Sequence, residues 1–100
     1  MWECPDLFKL GEQYVLIISP MGMEGHKNIY LIGDMDYKNG KFTQQSYGDL
    51  DYGRDFYAAQ TFSDGNGRRI LIGWMSVWGT EMPTKVNGWV GAMTIPRILE

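Results

Sequence analysis

One hundred residues, 44% hydrophobic and 21% charged with a net charge of −3, describe one globular unit and exclude a disordered chain. Nine Lys and Arg against twelve Asp and Glu leave no basic stripe for phosphates, so nucleic acid is not an expected partner; nor is a membrane, since the longest aliphatic run is Val15-Leu16-Ile17-Ile18. A single cysteine, Cys4, and a single histidine, His26, exclude an internal disulfide and multi-ligand Cys/His centres, and neither metal nor cofactor is expected.

In chain order, the apolar runs are short, rich in β-branched and aromatic residues, and separated by glycine-containing breaks, which predicts strands. These fall at Leu7–Leu10, Gln13–Ser19, Asn28–Asp36, Lys41–Ser46, Asp55–Phe62, Arg68–Ser76 and Trp89–Ile95. Between Asn28–Asp36 and Lys41–Ser46 stands Asn39-Gly40, the strongest hairpin signal, because both residues tolerate the positive φ of a type I′ turn. No segment sustains a period of 3.6, and no capping box precedes a run of helical length. The expected class is all-β.

A weak internal repeat gives those strands an arrangement. Asp6-Leu7-Phe8, a turn and Tyr14-Val15-Leu16-Ile17-Ile18 resemble Asp55-Phe56-Tyr57, a turn and Arg69-Ile70-Leu71-Ile72, with Asp6 and Asp55 49 residues apart. That period suits four-stranded antiparallel propeller blades, one over residues 1–50 and one over 51–100. Two blades alone leave an apolar face open at each end, so the reading is a fragment of a propeller, completed by further blades or by self-association.

Several residues are candidates for chemistry, each with a plainer alternative. Glu3 lies among Trp2, Cys4 and Pro5 beside an apolar strand; such a setting suits a general acid, because desolvation favours a protonated carboxyl. It is otherwise a solvated surface group. Asp51 and Asp55 flank Tyr52-Gly53 and read first as turn caps. His26, in the glycine-punctuated Met21–Lys27 segment, reads as an exposed loop residue, and Gly65-Asn66-Gly67 as a hairpin turn rather than a phosphate loop. Trp74, Trp78 and Trp89 suit either a core or a sugar-stacking platform, and Trp74 and Trp78 share a side if their strand continues that far.

Four segments taken together resemble glycoside hydrolase family 32, the invertases, fructanases and sucrose-6-phosphate hydrolases. They are Trp2-Glu3-Cys4-Pro5-Asp6-Leu7, the run from Asp51 to Phe62, Arg69-Ile70-Leu71-Ile72-Gly73-Trp74-Met75, and Gly88-Trp89 with Ile95-Pro96-Arg97. The resemblance implies two blades of a five-bladed β-propeller and a retaining β-fructosidase acting on sucrose, sucrose 6-phosphate or fructans. By it, Glu3 of Glu-Cys-Pro inherits the general acid/base role. Cys4 tunes its surroundings, Tyr57 lies near it in the pocket, and Trp78 lines the fructose subsite; all three join the substrate-binding set. Trp74 supports the sheet, while Asp51 and Asp55 take rim or structural roles. The family's nucleophile motif, Asn-Asp-Pro-Asn-like, and its stabiliser motif, Arg-Asp-Pro, are both missing here. A chain with the acid but no nucleophile cannot form the covalent intermediate and is expected to be inactive alone. The acidic balance and the look of the motifs point to a cytoplasmic enzyme. The competing reading is a non-catalytic β module that binds sugar or self-associates.

Overall fold

A computed structural model describes residues 1–100. Seven strands, β1 (Trp2–Leu10), β2 (Gln13–Pro20), β3 (Ile29–Asp36), β4 (Lys41–Asp49), β5 (Tyr57–Ser63), β6 (Arg69–Trp74) and β7 (Arg97–Leu99), are joined by turns and one 3₁₀ helix over Pro83–Asn87. They form two antiparallel sheets, ordered β1-β2-β3-β4 and β5-β6-β7. The all-β expectation therefore holds.

Strand composition explains position. β2 carries Val15, Ile17, Ile18 and Ser19 buried, and lies inside the first sheet. β4 is polar along most of its length and forms the outer edge, where both faces meet water. The sheets meet along β1 and β2 against β5. There Phe8, Val15, Ile17, Phe56, Ala59 and Leu71 make one shared core, and Ile18, Ile29 and Leu31 a smaller one. Only 18 of 100 residues are buried, so broad apolar surface, including Trp2, Tyr47, Phe62 and Ile98, still faces solvent.

Two bulges shape the junction between the sheets. Along β1, Glu3 pairs with Ser19 and Asp6 with Ile17, so β1 spends three residues where β2 spends two. Along β5, Tyr57 pairs with Trp74 and Gln60 with Ile72, the same one-residue excess. Side chains alternate along a strand, so Glu3 and Asp6, an odd number apart, would ordinarily face opposite ways. The extra residue reverses that parity and puts both on one face; Tyr57 and Gln60 are treated alike. The residues after Glu3 and Tyr57 absorb the distortion: Cys4 (φ 48) and Ala58 (φ 53) are the two non-glycine residues with positive φ. Each costs about 1–2 kcal/mol. Pro5 is tolerated within the bulge because no ladder hydrogen bond is asked of it.

The structure corrects several local readings. β1 begins at Trp2 rather than Leu7, since the bulge carries pairing past Cys4-Pro5. The hairpin at Asn39-Gly40 forms, but only Gly40 (φ 63) is left-handed there, so the turn is not type I′. Instead the Asp36 carboxylate accepts from the Lys38 and Asn39 N–H groups and closes a four-residue loop. The second sheet has three strands where four were expected. Trp89–Ile95 forms no strand, only a bridge from Met93 to Trp74. Gly88 and Gly91 are left-handed, and Pro96 has no N–H to donate, so pairing with β6 resumes only at Arg97.

Candidate active site

The two bulges aim their residues at each other. The Tyr57 hydroxyl donates to Glu3 Oε2 at 2.7 Å, across 54 residues of sequence, and lies 3.4 Å from the Ser19 carbonyl. Glu3 is half-buried and Tyr57 only 4% exposed. Burial first, and then the neighbouring Glu3 carboxylate, push the Tyr57 phenol up to about 12.

A polar network holds this pair in register. The buried Ser19 hydroxyl donates to Asn28 Oδ1 at 2.9 Å and accepts from the Ala58 N–H at 3.1 Å. Asn28 Nδ2 donates to the Phe56 carbonyl at 2.9 Å. Gln60 Nε2 donates to the Cys4 carbonyl at 3.0 Å, and Asp6 Oδ2 accepts from both N–H and hydroxyl of Thr61, at 2.7 and 2.6 Å. Both left-handed residues are thus tied by hydrogen bonds from the opposite sheet. Cys4 is a free, half-buried thiol whose backbone builds the bulge.

Beside Tyr57 opens a cleft of about 210 Å³, walled by Met21, His26, Lys27, Tyr57, Val77 and Trp78 among others. Trp78 is 65% exposed and packs edge-on against Trp74, with centroids 5.3 Å apart at 64°. β6 ends at Trp74, so Trp78 stands on the following loop rather than on the strand. The structure therefore brings Glu3, Tyr57 and Trp78 into one neighbourhood, with Glu3 joined to the cleft through the Tyr57 hydroxyl. Trp89, the third aromatic candidate, is half exposed and lies outside the cleft wall.

The other carboxylates are committed elsewhere. Asp51 accepts from the Gly53 N–H at 2.7 Å, as a turn cap should, and also from Arg97 at 2.7 Å. Its burial favours the protonated form, but Arg97 and the Gly53 N–H outweigh that and hold the carboxyl below its ordinary value. Asp55 lines a wider hollow with Asp51 and Arg97, and its Oδ1 is buried without a hydrogen-bond partner. No group of three or more His, Cys, Asp and Glu converges on a point where a metal ion would sit.

Sequence reasoning missed two parts of this neighbourhood. His26 is not a free loop residue: Nδ1 lies 2.7 Å from Asp49 Oδ1, and the ring is half-buried. Ser19 and Asn28 form the hub between the sheets, and nothing local distinguishes them from surface polar residues.

Two antiparallel sheets thus meet along β1, β2 and β5, and a carboxyl group and a phenol are joined by one hydrogen bond at that junction. The sequence model of the glycosyl hydrolases family 32 N-terminal domain matches residues 1–100, and the chain belongs to that family. Sucrose-6-phosphate hydrolase of Escherichia coli is 47% identical, over 99% of this chain and 22% of the relative. The Zymomonas mobilis enzyme of that name is 45% identical, over 100% of the chain and 21% of its own length. Among solved structures, the Bombyx mori GH32 beta-fructofuranosidase superposes with a TM-score of 0.92 at 39% identity, over 100% of this chain and 23% of that one. The Lactobacillus gasseri sucrose-6-phosphate hydrolase superposes at 0.90 with 32% identity, over 100% and 23%. A variant of the Bombyx mori enzyme has been solved in complex with sucrose. The chain spans about a fifth of the length of the curated relatives it matches.

Proposed function

We propose that the chain is the acid/base-bearing part of a longer retaining β-fructosidase that cleaves sucrose, sucrose 6-phosphate or a related fructoside. Glu3 gives its proton to the glycosidic oxygen as the bond to the fructosyl carbon breaks. A carboxylate elsewhere in the longer protein takes that carbon as a covalent ester. Glu3, now ionised, removes a proton from water, which attacks the ester and releases fructose. Tyr57 holds Glu3 in position and donates to its ionised form, which is the form needed for the second step. Tyr57, Trp78 and Cys4 complete the substrate-binding surroundings, and the open apolar faces are covered by the remaining blades.

The observation that carries this reading is the Tyr57–Glu3 hydrogen bond at the meeting of two matched bulges, beside a tryptophan-walled cleft. The names of the relatives support the fructoside as substrate. The test is Glu3→Gln in the full-length protein, assayed by fructose release from sucrose. Turnover is expected to fall by about a hundredfold or more, with KM changed only a few-fold, because the amide keeps the shape and loses the proton. Unchanged turnover would refute the assignment.

A further inference from the structure

Two loops stand over the end of the sheets that carries Glu3 and Tyr57. Glu3 pairs with Ser19, just before β2 runs out into the β2–β3 loop, and Tyr57 pairs with Trp74, just before β6 runs out toward Trp78. The inner strands therefore supply the acid and the phenol. The loops of the next strands outward supply the cleft walls, His26 on one side and Trp78 on the other.

His26 is held firmly for a residue in a glycine-rich loop. Its Nδ1 is 2.7 Å from Asp49 Oδ1, at the end of β4. Its neighbour Lys27 donates from Nζ to the Gly53 and Arg54 carbonyls, pinning the loop to the segment between the sheets. Nδ1 is engaged by Asp49, which leaves the other ring nitrogen, Nε2, without a partner in this chain. Asp49 is not part of the cleft wall, whereas His26 is. His26 therefore links Asp49, outside the cleft, to the cleft wall.

We infer that His26 is a specificity-determining residue: its Nε2 hydrogen-bonds a hydroxyl of the sugar that leaves when the fructosyl bond is cut. This rests on the β-fructosidase reading. Glu3 protonates the oxygen that joins the two sugars, so the fructosyl unit lies against the inner strands. With Trp78 on the fructosyl side, the departing sugar extends over the opposite wall, the β2–β3 loop that carries His26. A ring tethered on one edge and open on the other presents a hydrogen-bonding nitrogen without losing side-chain freedom on binding.

The test compares two substrates on the full-length protein: sucrose, whose leaving group carries hydroxyls, and methyl β-fructofuranoside, whose leaving group is methanol. His26→Asn retains a short amide facing Asp49 but places nothing where Nε2 lay. It is expected to lower kcat/KM for sucrose about tenfold more than for the methyl fructoside, chiefly through KM. His26→Gln, whose longer amide reaches toward that position, is expected to recover part of the difference. The ratio of the two kcat/KM values cancels the amount of folded enzyme, so a destabilised variant still answers. An equal loss on both substrates would overturn the inference and leave His26 as a loop tether, and so would no loss on sucrose. Failure of the unsubstituted protein to cleave either fructoside would instead overturn the β-fructosidase reading itself.

Discussion

Tyr57→Phe removes one oxygen atom from the centre of the site and leaves its shape intact. That oxygen donates to Glu3 at 2.7 Å, and burial followed by the Glu3 carboxylate raises the phenol from 10.0 to about 12. In the unfolded chain the phenol has its ordinary pKa. Raising the pH therefore strips the proton from unfolded molecules first, and the folded state loses ground. The stabilisation is complete below the unfolded value and disappears as pH rises through the folded one. At about 1.4 kcal/mol per pH unit the loss comes to about 3 kcal/mol, half of it by about pH 11. Phenylalanine cannot ionise and escapes this loss. Guanidinium unfolding of both proteins, followed by tryptophan fluorescence across the alkaline range, isolates the effect, because every other tyrosine and lysine cancels in the difference. At neutral pH the variant is expected to be less stable by about 1–3 kcal/mol, for the lost bond to a charged acceptor. Above about pH 10 that gap is expected to close steadily. A gap that stays constant would refute burial beside Glu3 as the origin of the raised pKa.

Asp6→Ala removes the acceptor for both Thr61 bonds and is expected to cost about 2–3 kcal/mol in chemical denaturation, more than Thr61→Val, which spares the backbone bond. Gly33→Ala drives a Cβ into the Thr43 carbonyl oxygen, whereas at Gly73 the same change meets the Phe56 ring at 2.6 Å. The ring can shift and the ladder cannot, so thermal melts are expected to show the larger loss at Gly33, above about 2 kcal/mol. Asp51 is held below its ordinary pKa, so its contribution is present above pH 3.8 and lost as pH falls below that. Asp51→Asn is expected to flatten the acid limb of a stability-versus-pH curve by about 1 kcal/mol or less, because Arg97 is well exposed and water screens the pair.

The strands were legible where apolar residues alternate or run together, as in Val15–Ile18 and Ile29–Leu31, because burial there is dictated by pattern. Trp89–Ile95 misled for the converse reason. Its side chains favour strands, but left-handed Gly91 and the missing N–H of Pro96 limit its pairing to one bridge with Trp74, and Arg97–Leu99 is too short to stand out. Glu3 was legible from the Glu-Cys-Pro motif, yet the bulge that aims it was not. Cys4 shows no glycine to announce a positive φ, and Pro5 argued against a strand. His26 escaped notice because its partner, Asp49, lies 23 residues away and is brought close only by the β3–β4 pairing.

The repeat in the chain has a different basis from the one its side chains display. Matching aspartates gave Asp6 and Asp55, but the bulges follow Glu3 and Tyr57, with positive φ at Cys4 and Ala58, an offset of 54. What is repeated is the place where a strand gains one residue, and the side chains at that place differ. A straight strand would leave Glu3 on the face opposite Asp6, away from the second sheet. The insertion in β1 restores Glu3 to the side that faces the second sheet, where Tyr57, at the bulge of β5, meets it within one hydrogen bond. The strain at Cys4 and Ala58 is therefore inseparable from the site. It is offset by the Gln60 and Ser19 bonds that reach those same two residues from the other sheet.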